Sequence, residues 1–258
     1  MLSSVKNFSK CGITGRIKVP IWKWNVSPGQ AVAGTATFIG GAPTIVWRFS
    51  DGSTINNSPI NKTIAGAWNF WLEGKYLKYI SSFVFSSSNL IGEIPVPSRL
   101  SNLSSFSCPS NQITGSIPNL SSNPALLTFY CHANQITGSL KSLSANTALT
   151  TFSCHTNQFT GSIPNLSANT ALLTFSCHTN QLTGFSGGAI PSSITNFSAH
   201  NNLLTASAVN SILVACDTAW GAGAKILSIG GTGNAAPTGA GITAKASLIS
   251  KGHTVTTN

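Results

Sequence analysis

Four carboxylates, five imidazoles and six thiols are all that this chain of 258 residues offers for acid, base, nucleophilic or metal chemistry. The carboxylates are Asp51, Glu73, Glu93 and Asp217, too scattered along the chain to form the general acid and base pair of a hydrolase. No Gly-x-Ser-x-Gly elbow, phosphate-cradling glycine loop or His-Glu-x-x-His element occurs. The reading is a non-enzyme with no cofactor and no metal centre. One pattern remains: the Cys-His dipeptides at 131/132, 154/155 and 177/178, followed by His200. Consecutive side chains of a strand face opposite sides, so each thiol points inward and each imidazole outward, and the pair cannot share one ion without breaking the strand. Taken alone, His132, His155, His178 and His200 fall at the outward position of successive segments. Beside them run the rows Tyr130, Ser153, Ser176, Ser198 and Thr128, Thr151, Thr174, Asn196. Together they would make a polar strip with an aromatic edge, suited to a glycan or to a protein on a bacterial surface. The alternative is that one soluble repeat was duplicated with no ligand selected.

What must position this strip is a repeat. Cys108, Cys131, Cys154 and Cys177 mark a period of 23 residues, and the segments starting at Leu103, Leu126, Leu149 and Leu172 share the frame L-x-x-F-x-C-x-x-N-Q-x-T-G. In the copy starting at Leu126, Phe129 and Cys131 alternate with Thr128, Tyr130 and His132, which is the period of a short strand with one face buried. A single unit cannot bury its apolar face, but copies stacked at roughly 4.8 Å per rung build a continuous core and a parallel sheet. The cysteines serve as small apolar core residues, and because parallel Cβ vectors on neighbouring rungs make a poor bridge, they are expected as free thiols. Asn111, Asn134, Asn157, Asn180 and Asn202 recur just after the strand, where a carboxamide can satisfy backbone groups of neighbouring turns.

This frame resembles the leucine-rich-repeat frame L-x-x-L-x-L-x-x-N-x-L, with Phe and Cys in place of Leu. Gly115-Ser116-Ile117-Pro118 and Gly161-Ser162-Ile163-Pro164 resemble the G-x-I-P element of its plant-type subclass. The frame extends outward less regularly. Ile80, Phe83 and Phe85 with Gly92-Glu93-Ile94-Pro95 make an earlier coil with Ser88 at the asparagine position; Ile194, Phe197, Ala199, Asn202 and Leu204 make a later one, and Leu227 with Ile229 start another.

Both ends of such a stack need a cover. From Ala31 to Leu72 the pattern is that of strands separated by turns at Gly40, Gly52 and Gly66. The segment Val46-Trp47-Arg48-Phe49-Ser50-Asp51-Gly52, followed by Pro59, Gly66 and the alternating Trp68, Phe70 and Leu72, resembles the W-x-F-G-D-G core of polycystic-kidney-disease-type (PKD) domains, with Ser50 replacing Gly. That resemblance implies an immunoglobulin-like sandwich or part of one. At the other end, Val209, Ile212, Leu213 and Cys216 lie at helical spacing, with a start near Thr205 or Ser207 and a stop at Gly221 and Gly223. A second helix is expected over Thr243 to Ser250, after a loop from Gly230 to Gly241, and a last strand over His253 to Thr257. The stretch from Gly233-Asn234-Ala235-Ala236 through Thr254-Val255-Thr256-Thr257-Asn258 resembles the C-terminal cap of leucine-rich-repeat proteins of bacteriophages infecting Bacteroidetes-type hosts.

The expected architecture is mainly β with a few helices. An arm occupies residues 1–27, a PKD- or immunoglobulin-like β unit 28–78, the solenoid 79–205 and a strand-helix cap 206–258. Nine of the 14 Lys and Arg precede position 79, so the net charge of +10 belongs to the N-terminal part and not to the repeats. The basic residues are spread out and no nucleic-acid module accompanies them, so a nucleic-acid partner is not expected. Met1 to Lys18 contains no apolar run of a secretory signal, and no segment is suited to span a membrane. With the resemblances above, the reading is a virion structural protein of a bacteriophage, made in the host cytoplasm and exposed on the particle. Its partners would be other virion proteins through the N-terminal region and a host receptor or glycan through the repeats; a homo-oligomer is compatible. The alternative is a bacterial surface or secreted adhesin.

Overall fold

The computed structural model describes the backbone of six strands within residues 22–72 and, with side chains, residues 80–94 and 100–258. The first six strands are β1 (Trp22–Val26), β2 (Ala31–Phe38), β3 (Val46–Phe49), β4 (Thr54–Asn56), β5 (Ile60–Thr63) and β6 (Trp68–Leu72). Five coils follow, each with a strand on either side: β7 (Ile80–Val84) and β8 (Leu90–Glu93), β9 (Ser105–Ser107) and β10 (Gln112–Thr114), β11 (Thr128–Tyr130) and β12 (Thr137–Ser139), β13 (Thr151–Ser153) and β14 (Gln158–Ile163), β15 (Thr174–Ser176) and β16 (Gln181–Phe185). The chain closes with β17 (Asn196–Ser198), α1 (Ala206–Ala219), β18 (Ile226–Ser228), α2 (Ala240–Ser250) and β19 (Thr254–Thr256).

One strand of every coil joins a single sheet in the order β19-β18-β17-β15-β13-β11-β9-β7-β2-β5. From β7 to β19 all its pairs are parallel and in register, so that Phe83, Phe106, Phe129, Phe152, Phe175 and Phe197 stand side by side. Their rings, from Phe106 to Phe197, stack with centroids 5.3 to 5.7 Å apart. A slip of one residue would turn that whole column to solvent, which is why the register is uniform. Cys108, Cys131, Cys154 and Cys177 form the next inward column, fully buried and free. On the opposite side of the coils Gly138 and Gly161 lie within β12 and β14, and their φ angles of +79° and +78° place them in the left-handed region that disfavours a side chain.

The N-terminal strands continue both sides of the solenoid. β2 pairs antiparallel with β7 and carries β5 on its other edge. β1 pairs antiparallel with β8, and the order β8-β1-β6-β3-β4 extends the second side. These strands therefore cover the first coil by backbone pairing, which removes the open edge a stack of parallel strands would otherwise present. Trp22–Val26, placed at the end of an arm by the sequence reading, is the strand between β6 and β8. Residues 1–21, Pro28-Gly29, Ser50-Asp51-Gly52, Pro59, Gly66, Tyr79 and Pro95 lie outside the described residues.

At the C-terminal end α1 begins at the expected place, because the Thr205 side chain accepts a hydrogen bond from the Ala208 N–H at 3.2 Å. It buries Val209, Ile212, Leu213 and Cys216 against the last coils. The second helix starts at Ala240, three residues before the expected Thr243 and inside the expected loop. The cause is tertiary: Asn210 on α1 accepts from the Thr238 N–H and donates to its hydroxyl, both at 2.9 Å, which fixes the entry to α2. Gly241 then packs so close to α1 that a Cβ there would lie 2.1 Å from the Asn210 carboxamide oxygen. Among the described residues no helix is long and apolar enough to cross a membrane.

Candidate recognition face

The exposed side of the main sheet is built by β9, β11, β13, β15 and β17. Parallel pairing aligns Thr128, Thr151, Thr174 and Asn196 in one column and Tyr130, Ser153, Ser176 and Ser198 in the next. Ser105 and Ser107 extend these columns at one end, and Ile226 and Ser228 at the other. His132, His155, His178 and His200 follow their strands and stack face to face, with centroids 4.4, 4.2 and 4.2 Å apart and ring planes within 17° of parallel. Tyr130 meets His132 edge-on at 6.2 Å and closes the ladder on that side.

Every ring of the ladder is held through its Nδ1 atom. His155 Nδ1 lies 3.1 Å from the Thr156 hydroxyl and His178 Nδ1 lies 3.0 Å from that of Thr179. His132 is held by Ser153 of the next rung at 3.3 Å, and His200 by Ser198 and Ser228 at 3.0 and 3.2 Å. Ser153 and Ser198 already belong to the polar strip read from the sequence, whereas the anchoring hydroxyls of Thr156, Thr179 and Ser228 were passed over; the Cys-His-Thr triplets at 154–156 and 177–179 were the available signal for two of them. The four Nε2 atoms make no hydrogen bond to any described residue. Partial burial, followed by the charges of the neighbouring imidazoles, lowers the pKa of His155 and of His178 to about 4. Burial also lowers those of His132 and His200. The ladder is accordingly uncharged near neutral pH.

The backbone beneath the ladder is unusual. Ala133, Thr156, Thr179 and Asn201, each directly after a histidine, have φ between 51° and 56°. For β-branched threonine this conformation costs on the order of 1 to 3 kcal/mol unless the surroundings impose it. The next residue imposes it. Asn157 Nδ2 donates to the carbonyls of Cys131, Cys154 and His155 at 3.0, 3.1 and 3.2 Å, and its Oδ1 accepts from the Ile136 N–H at 2.9 Å. Asn134 and Asn180 repeat the arrangement, and Asn111 and Asn202 adapt it at the ends. Asn234, read from the sequence only as part of the cap stretch and not of the asparagine column, extends the column by bonding the carbonyls of Ala199 and Ile229. A second buried column, Asn123, Asn146 and Asn169, was also missed; each donates to a leucine carbonyl of the coil before.

Nearly parallel rings keep their in-plane Nε2 lone pairs parallel, not convergent, and no group of three candidate ligands occurs among the described residues. Burial drives the thiols of Cys108, Cys131, Cys154 and Cys177 well above their ordinary pKa, so they stay protonated and inert.

The repeated frame, the parallel sheet of stacked coils and the asparagine column give this chain a leucine-rich-repeat-like solenoid fold. No family profile matches it, and no curated protein does. Among solved structures it is similar to a chain of the BIR3–SERK2 complex from Arabidopsis thaliana, with 31% identity, 48% of this chain and 69% of that chain covered, and a TM-score of 0.41. It is also similar to the leucine-rich-repeat ectodomain of the receptor kinase SOBIR1 from Arabidopsis thaliana, with 16% identity, 67% and 80% covered and a TM-score of 0.43. A third similar structure is the functional domain of InlJ from Listeria monocytogenes, described as including a cysteine ladder, with 15% identity, 64% and 52% covered and a TM-score of 0.29.

Proposed function

We propose that this is a non-enzymatic recognition protein exposed on a bacteriophage particle, with the histidine-bearing sheet face as its contact with the host surface. The observation that carries the recognition part is the anchored ladder: four imidazoles in register, each fixed at Nδ1, with four Nε2 atoms that no described residue pairs. Two of the anchoring hydroxyls sit on threonines that the asparagine column holds in the left-handed conformation, which aims them at the rings.

The virion part rests on the resemblance of residues 233–258 to phage repeat caps and of residues 46–72 to PKD-type units. In this reading the N-terminal β unit joins other virion proteins and the working site lies outside the cell. A bacterial surface adhesin remains the second reading, because the same face would serve it equally. Immunogold labelling separates the two. Gold on phage particles supports the first; gold confined to bacterial cells replaces it with the second.

A further inference from the structure

We infer that the ligand of the histidine-bearing face is an uncharged, hydroxyl-rich polymer, a neutral polysaccharide laid along the ladder across successive rungs. The inference rests on that face being the recognition surface and goes on to name the chemistry it selects.

Charge is the first ground. Between Leu100 and Cys216 the only Lys, Arg, Asp or Glu is Lys141. Lys141 is exposed past β12, outside the main sheet. A polyanion, whether nucleic acid or acidic glycan, is held by Lys and Arg contacts to its charges, and the face from β9 to β17 supplies none. The imidazoles do not substitute, being held neutral by burial and by one another.

The second ground is what the face lacks for a protein partner. Protein interfaces draw their affinity from a desolvated centre rich in Trp, Tyr, Arg and Met. Among the described residues of this face Tyr130 is the single one of those types, and it stands at one end beside His132. The rest is Ser, Thr, Asn and His in columns that repeat from β11 to β17.

The third ground is hydrogen-bond polarity. A hydroxyl both donates and accepts, so the Thr156 and Thr179 hydroxyls can accept a hydrogen bond from Nδ1–H or donate one to the Nδ1 lone pair. Each choice sets the opposite role at Nε2. The ladder can therefore offer either a donor or an acceptor at each rung, and sugar hydroxyls, which play both roles, match it without a fixed charge. Because the rungs repeat, a polymer of similar units meets the same set of groups several times, and weak contacts add along the chain.

The test uses the full chain and surfaces coated with laminarin, pullulan and galactomannan as uncharged polymers and with alginate and chondroitin sulfate as acidic ones. About 0.5 M NaCl shortens the Debye length to a few Å and suppresses adsorption through the basic N-terminal part. The expected result is binding to at least one uncharged polymer. His155→Ala/His178→Ala should weaken it at least about tenfold, the equivalent of one good hydrogen bond. His155→Gln/His178→Gln, which keeps a donor and an acceptor at each position, should retain most of it, and unchanged melting of both variants shows that the fold survives. Absence of binding to every uncharged polymer overturns the inference, as does binding that the Ala variant leaves intact. Acidic-polymer binding that the Ala variant abolishes overturns the ligand class while leaving the face as the contact surface. Attachment to bacterial cells that the Ala variant leaves intact instead removes the reading on which the inference rests.

Discussion

His155 and Thr156 are neighbours in the chain and partners in space: the ring Nδ1 lies 3.1 Å from the hydroxyl, and it reaches there because Thr156 has φ +56°. A threonine in extended conformation would send its side chain elsewhere. The strained backbone and the fixed ring are one feature, and His178 with Thr179 repeats it.

Replacing Thr156 with Gly should separate stability from recognition. Glycine relieves the left-handed strain but raises the entropy of the unfolded chain by up to about 1 kcal/mol, so the melting temperature should stay level or rise slightly. Ligand binding should fall, because the His155 ring loses its anchor. A clear loss of stability with binding intact would contradict the coupling.

Acid should weaken the fold through the ladder. The folded state lowers the pKa of His155 and His178 from 6.5 to about 4, so in the window between these values the unfolded chain binds protons that the native ladder refuses. Stability should be level above about 6.5, the ordinary histidine value, fall as the pH drops towards about 4, and level off below it with respect to these groups. The titratable side chains around them are His132 and His200 on the face and Cys154 and Cys177 beneath. Denaturant melts across this window should flatten in His155→Gln/His178→Gln. Imidazole NMR titrations with midpoints near 6.5 for both rings would remove the cause.

The asparagine column should dominate stability locally. Asn157→Ala strips three carbonyls of a donor and the Ile136 N–H of an acceptor, so it should cost about 1 to 3 kcal/mol or more. Gln158→Ala, exposed one residue further on, should stay within about 0.5 kcal/mol. Equal melting shifts would show that the column is not what holds adjacent coils.

The solenoid was legible because each repeat places the same residue types in the same surroundings: Phe152 and Cys154 recur at fixed spacing since both face one continuous core. The ladder of rings was legible for the same reason. Its anchoring was not, because the left-handed position is occupied by Ser110, Ala133, Thr156, Thr179 and Asn201, residues that share no local preference for it. The conformation comes from the asparagine that follows. The early start of α2 was hidden because Gly241 reads as a helix breaker along the chain, whereas against Asn210 it is the residue that permits close packing.

The N-terminal unit should be required for solubility of the repeats. A chain starting near Tyr79 loses the strands that pair with β7 and β8, exposing backbone edges on both sides of the first coil. Light scattering should show concentration-dependent association for this fragment and none for the full chain. A monodisperse fragment would mean that β1 and β2 are not the cover.

The most direct measurement is attachment of the purified full chain to host bacterial cells, compared with His155→Ala/His178→Ala at about pH 7.5, where the ladder is neutral. Recognition through the sheet face predicts that the wild-type chain binds saturably and that the double variant, equally stable, binds at least about tenfold more weakly. Identical binding of the two would make the solenoid a spacer and move the contact surface elsewhere on the molecule.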